Sequence, residues 1–193
     1  MPELIPLLEA VRACTLCAEY LPYAPKPIIQ VGSKARLLIV GQAPGIRAHQ
    51  SGIPWDDASG KRLRQWLQIS DEDFYNPDKV AILPMGFCYP GKGRSGDLPP
   101  RKECAPQWHQ QLLDQLPRIG LTLYIGQYAQ RYYLNDSYHT LTERIQHWQD
   151  FPDGQFALPH PSPRNQSWFK KNPWFEQQAL PALQQKLNLL WQS

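Results

Sequence analysis

A chain of 193 residues with a formal charge of +3 and 42% apolar residues suits one α/β domain with its own core. That composition excludes a disordered chain, and no stretch approaches the ~18 consecutive apolar residues of a membrane span. The weak basic bias permits a nucleic-acid partner without arguing for one, although 7 Trp and 9 Tyr, several beside Lys or Arg, suit base stacking combined with phosphate contact.

The N-terminus, Met1-Pro2-Glu3-Leu4, lacks the charged and apolar regions of a signal peptide, which predicts a cytoplasmic protein. In a reducing compartment the four cysteines point to metal or redox chemistry over disulfides. Leu4, Ile5, Leu7, Leu8 and Val11 predict a short amphipathic helix. It runs into Cys14-Thr15-Leu16-Cys17, a CxxC that sets two thiolates on one side of a turn. Cys88 and Cys104 follow far downstream. Four thiolates can hold zinc or an iron–sulfur cluster, and the spacing alone does not choose between them.

After a connection containing Pro22, Pro25 and Pro27, the run Ala35-Arg36-Leu37-Leu38-Ile39-Val40 is the clearest buried-strand signal. It delivers the turn Gly41-Gln42-Ala43-Pro44-Gly45, whose glycines let the backbone approach a ligand and whose proline stiffens it. In open α/β sheets ligands bind outside such strand ends. The loop continues to residue 60 and gathers His49, Trp55, Asp56 and Asp57. Trp55 can stack on a planar ligand, and either Asp can polarise a water; alternatively the Asp residues cap a helix and Trp55 packs inward. Residues 61–69 read as that helix, with Ser59 as N-cap and Leu63, Trp66 and Leu67 on one face.

A second strand over residues 79–85 leads into a Gly/Lys/Arg loop, residues 86–97. That loop suits a phosphate backbone or a plain surface turn, and it has no Walker spacing. A helix opening at Cys104 shows Trp108, Leu112, Leu113 and Leu116 as its buried face. A third strand (121–126), helices near 127–134 and 137–148, and a short fourth strand (156–159) follow. The last strand delivers His160-Pro161-Ser162-Pro163-Arg164-Asn165, and a helix near 174–191 closes the chain. Four strand–loop–helix repeats predict a single α/β domain over residues 1–193, with a central four-stranded parallel sheet flanked by helices and its unusual loops on one rim.

Gly41-Gln42-Ala43-Pro44-Gly45, the closing segment His160 to Asn165 and the ordered set Cys14, Cys17, Cys88, Cys104 together resemble the uracil-DNA glycosylase superfamily. The resemblance is nearest to its iron–sulfur family 4 and family 5 enzymes and runs from about residue 10 to the end. It implies a monomeric DNA base-excision enzyme with a 4Fe-4S cluster on the four cysteines, zinc being the alternative. It implies that Trp55 stacks on a flipped base and that His160 stabilises the leaving base anion. Asp57 would activate water, and Gln42, with Gly41 and Ala43, would line the base slot. Pro161, Ser162, Pro163, Arg164 and Asn165 would enter the DNA. The sequence departs from the family where Pro84 stands in place of the base-reading Asn of family 4 and Ala43 in place of the catalytic Asp of family 1. His49 or Asn165 is a candidate substitute reader of the base edge. A DNA-binding module without turnover, or an enzyme acting on free nucleobases or nucleosides, stands as the alternative.

Overall fold

Four short apolar runs form one all-parallel sheet: β1 (Leu37–Val40), β2 (Val80–Ile82), β3 (Leu121–Ile125) and β4 (Gln155–Leu158), in the order β2-β1-β3-β4. The structure is a computed structural model that describes residues 3–192; the leader reading at Met1 and Pro2 lies outside them. β1 is central and carries the register, Leu37 pairing with Val80 on one side and with Leu121 on the other. Its residues are all buried, as a parallel strand covered on both faces requires.

The chain runs outward from β1 to β2, then returns past β1 to β3 and on to β4. The strand order therefore reverses between β1 and β3, which opens a crevice at their carboxyl ends. Successive crossovers run in opposite directions, so right-handed connections put α3 (Ala58–Leu67) and α5 (Cys104–Leu113) on opposite faces. On the α3 face lies the C-terminal helix α9 (Leu180–Gln192), where Gln184 Nε2–H donates to the Trp66 carbonyl at 3.0 Å. The N-terminal helix α1 (Leu4–Arg12) packs with α5. Helices α6 (Gln127–Tyr133) and α7 (Leu141–Gln146) connect β3 to β4. Short helices α2 (Ile46–Ser51), α4 (Asp71–Phe74) and α8 (Gln166–Lys171) complete the set.

Several boundaries differ from the sequence reading for identifiable reasons. Asp57, not Ser59, caps α3: its Oδ1 accepts the Gly60 N–H at 2.7 Å, the helix starts at Ala58, and Ser59 is buried in the first turn. The expected helix over 137–148 is shorter because the Asp136 carboxylate takes the Tyr138 N–H and both Arg144 donors, which holds a turn ahead of the Thr140 cap. In α1 Ile5 is 71% exposed, leaving Leu7 and Val11 to face the core. In α5 the buried positions are Cys104, Ala105, His109 and Leu112, while Trp108 and Leu113 are only half-buried. The proline-rich connection also pairs: Gln30 and Ile82 exchange backbone hydrogen bonds as an antiparallel bridge that covers the free edge of β2.

Candidate active site

β1 ends at Val40, and the next two carbonyls are tied to the segment after β2. Met85 N–H donates to Gly41 O at 2.9 Å and Gly86 N–H to Gln42 O at 3.0 Å. A trans peptide sets N–H opposite C=O. The N–H groups of Gln42 and Ala43 therefore point away from β2, toward the β3 and β4 side, and neither has a hydrogen-bond partner among the described residues. The Gln42 side chain is turned the other way, its Nε2–H donating to Leu98 O at 3.3 Å.

Trp55 lies over this turn. A Cβ at Gly41 would come within 2.9 Å of the indole Cζ2, so glycine is what lets the ring rest on the backbone. Trp55 itself adopts φ +57°, a left-handed conformation that disfavours a bulky side chain by ~1–2 kcal/mol. Its carbonyl is held by Arg64 Nη1–H at 3.3 Å and the Tyr75 hydroxyl at 3.4 Å. Gly60 is packed beneath it, where an added Cβ would lie 1.8 Å from the Trp55 carbonyl oxygen.

His160 leaves the end of β4 and meets the same ring. The Trp55 and His160 ring centroids are 5.6 Å apart with planes inclined by 34°. Asn165 Nδ2–H donates to the His160 carbonyl at 2.8 Å, closing the loop behind it. Burial lowers the His160 pKa below the ordinary imidazole value, and the Asp57 carboxylate offsets only part of that, so the ring is neutral at neutral pH. Asp57 thus acts on His160 through its charge while its Oδ1 caps α3.

The rest of the closing loop forms the rim. Pro161 is buried, and Pro163 opens a 3₁₀ turn to Asn165 that Ser162 Oγ caps by accepting the Arg164 N–H at 3.2 Å. Arg62 Nη1–H donates to the Ser162 carbonyl at 3.3 Å. Exposed Arg164 reaches across to Ser95 O at 3.3 Å, so the Gly/Lys/Arg loop and the closing loop meet at the mouth. His49 does not join Trp55 and His160. It stacks on Tyr23 with centroids 5.0 Å apart and faces Tyr89 at 6.0 Å, while Lys26 binds its carbonyl. Pro84 offers only its carbonyl, which accepts from His109 Nε2 at 3.0 Å. The sequence reading missed Arg64, Tyr75 and Gly60; the one local sign was a glycine in the first turn of a helix that follows an aromatic.

A second constellation lies at the β2 side. Cys14, Cys17, Cys88 and Cys104 line one pocket with Pro25, Pro27, Phe87 and Trp108. Trp108 Nε1–H donates to Cys14 Sγ at 3.4 Å and Phe87 N–H to Cys104 Sγ at 3.3 Å, as donors do around thiolate ligands. Burial pushes the Cys88 thiol up to about 11 and Cys104 to about 12, with the neighbouring sulfurs adding to it. Among the described residues no set of three or more His, Cys, Asp or Glu is arranged to hold a metal ion.

The chain is similar in sequence to known proteins. The model of the Uracil DNA glycosylase superfamily matches residues 29–184, which spans every strand and both rim motifs but begins after Cys14 and Cys17. A Type-4 uracil-DNA glycosylase from Sulfurisphaera tokodaii is similar, with 30% identity over 99 residues, 51% of this chain and 43% of that protein. The alignment therefore spans less than half the length of that relative. On the extent of the family match, the chain belongs to the uracil DNA glycosylase superfamily.

Proposed function

We propose that the protein is a DNA base-excision glycosylase that takes a flipped uracil or related deaminated base between the Gln42 turn, Trp55 and His160. The observation that carries this reading is the convergence of three segments distant in the chain. The Trp55 indole rests on the Gly41 backbone and lies 5.6 Å from the His160 ring, beside the Gln42 and Ala43 amides, which have no partner among the described residues. A flipped base costs a few kcal/mol of lost stacking, and a plate such as Trp55 recovers part of it. When the N-glycosidic bond breaks, its electron pair leaves with the base, and the sugar carbon gains cationic character. The N–H groups of Gln42 and Ala43 and the His160 ring N–H stabilise the anion on the base oxygens, each such donor contributing ~10²–10³ in rate. Asp57, with Oδ1 engaged at Gly60, retains Oδ2 to favour the sugar cation or orient the water whose oxygen then bonds to that carbon. The departing base takes up the proton.

Pro84 supplies no side-chain amide, so one bidentate base contact, ordinarily ~1–3 kcal/mol, is missing from the slot. Recognition then rests on stacking and on base oxygens shared by several deaminated bases. Arg164, Asn165 and the prolines around them are the part of the rim that meets the duplex or single strand.

Cys14, Cys17, Cys88 and Cys104 fit a 4Fe-4S cluster. The donor set is all thiol, two sulfurs already accept N–H bonds, and the four line a shared pocket, with zinc as the alternative occupant. When bound, the cluster ties the N-terminal arm to the segment after β2 and the start of α5. The test of function is a panel of oligonucleotides carrying uracil, hypoxanthine or an undamaged base, incubated with protein and cut by alkali at abasic sites. Cleavage confined to deaminated bases is expected; no cleavage of any of them would overturn the reading.

A further inference from the structure

We propose that Arg64 and Tyr75 are positioning residues that set the Trp55 indole as the stacking plate of the slot, an inference that rests on the base-excision reading above. Trp55 is one of only two non-glycine residues with positive φ among the described residues, and its carbonyl is the point where that conformation is held. Arg64 Nη1–H and the Tyr75 hydroxyl both donate to it, and the same Arg64 nitrogen lies 3.1 Å from the Tyr75 oxygen. Arg64 is fixed in turn by Asp71 at 2.6 Å and by lying over the Phe74 and Tyr75 rings at 5.3 and 5.4 Å. Gly60 leaves the space in which the carbonyl sits. Both side chains direct these hydrogen bonds to the Trp55 backbone, and Arg64 also borders a polar groove with Arg47, Lys61, Asp56 and Asp57. Their hydrogen bonds act on the base only through the angle at which the indole lies on Gly41 and against His160.

Tyr75→Phe deletes one donor and keeps the ring. Arg64→Lys keeps the charge opposite Asp71 and loses the forked donor. Kinetics on a uracil oligonucleotide should show KM raised about 2- to 12-fold in each variant, the range of one hydrogen bond, with kcat within about twofold. The second readout is ¹⁹F NMR of protein labelled with 5-fluorotryptophan, in which Trp55→Phe assigns one of the 7 Trp signals. That signal should shift or broaden in both variants while the other signals stay. An unmoved Trp55 signal with unchanged KM, or a fall in kcat alone that follows a lower folded fraction, would overturn the lock. A wild-type protein that cleaves no deaminated base would overturn the base-excision reading instead, and the ¹⁹F spectra would still decide the lock.

Discussion

Gly60→Ala is the substitution whose outcome follows most directly from distances. In an ordinary helix, alanine is favoured over glycine by ~1 kcal/mol, so propensity alone predicts a more stable protein. Here the new Cβ would stand 1.8 Å from the Trp55 carbonyl oxygen, 2.6 Å from its carbon and 2.8 Å from its Cβ. Real contacts of this kind begin near 3 Å, so the Trp55 backbone must retreat by about 1 Å. That motion strains a crowded site by ~1–3 kcal/mol and stretches two hydrogen bonds worth ~0.5–1.5 kcal/mol each. Net destabilisation of about 1–5 kcal/mol is expected, which at ~2–4 °C per kcal/mol lowers Tm by several degrees or more. Thermal and urea unfolding measure it, and cleavage of a uracil oligonucleotide should fall with it because the plate leaves Gly41. A variant that is more stable than wild type and equally active would refute the reasoning.

Two further outcomes test other parts of the molecule. Absorbance near 400 nm is expected for the protein as isolated, and Cys104→Ser or prolonged chelation should remove it and lower Tm, because the arm bearing Cys14 and Cys17 loses its tie; a colourless wild type containing zinc would decide for the alternative. Burial depresses the His109 pKa to about 4, while Tyr133 and the Pro84 carbonyl bond its two nitrogens. A histidine depressed in the fold contributes fully above its unfolded value near 6.5. That contribution, ~3 kcal/mol, is lost as pH falls from about 6.5 to 4. Denaturant titrations across that window should show the decline in wild type and a flatter profile in His109→Phe.

The fold was legible because its strongest signals are non-local in consequence but local in sequence. The buried runs at Leu37, Val80, Leu121 and Phe156 each end in a turn, and alternation with helices leaves little choice but a parallel sheet. The loops that meet at the site, after β1 and after β4, were identifiable by their Gly and Pro punctuation. Other features were not visible because they depend on contacts made across the chain. Nothing in the sequence near Trp55 shows that Arg64 and Tyr75 hold its carbonyl. Ser59 had the right chemistry for a cap, yet Asp57 captured the Gly60 N–H two residues earlier. His49 looked site-like in a loop with Trp55, but α2 turns its ring toward Tyr23 and Tyr89. His109 sat unremarked in a helix whose apolar spacing pointed to Trp108 and Leu113, because a buried histidine is recognised only once both of its partners are known.

The account depends on one slot in which His160 faces the same base as Trp55 and the Gln42 turn. Its most direct test is single-turnover cleavage of a uracil oligonucleotide by His160→Ala beside wild type, with DNA binding measured on an uncleavable analogue. The account predicts a rate lower by ~10²–10³ with binding retained. Equal turnover, or loss of binding in proportion to the loss of rate, would contradict it.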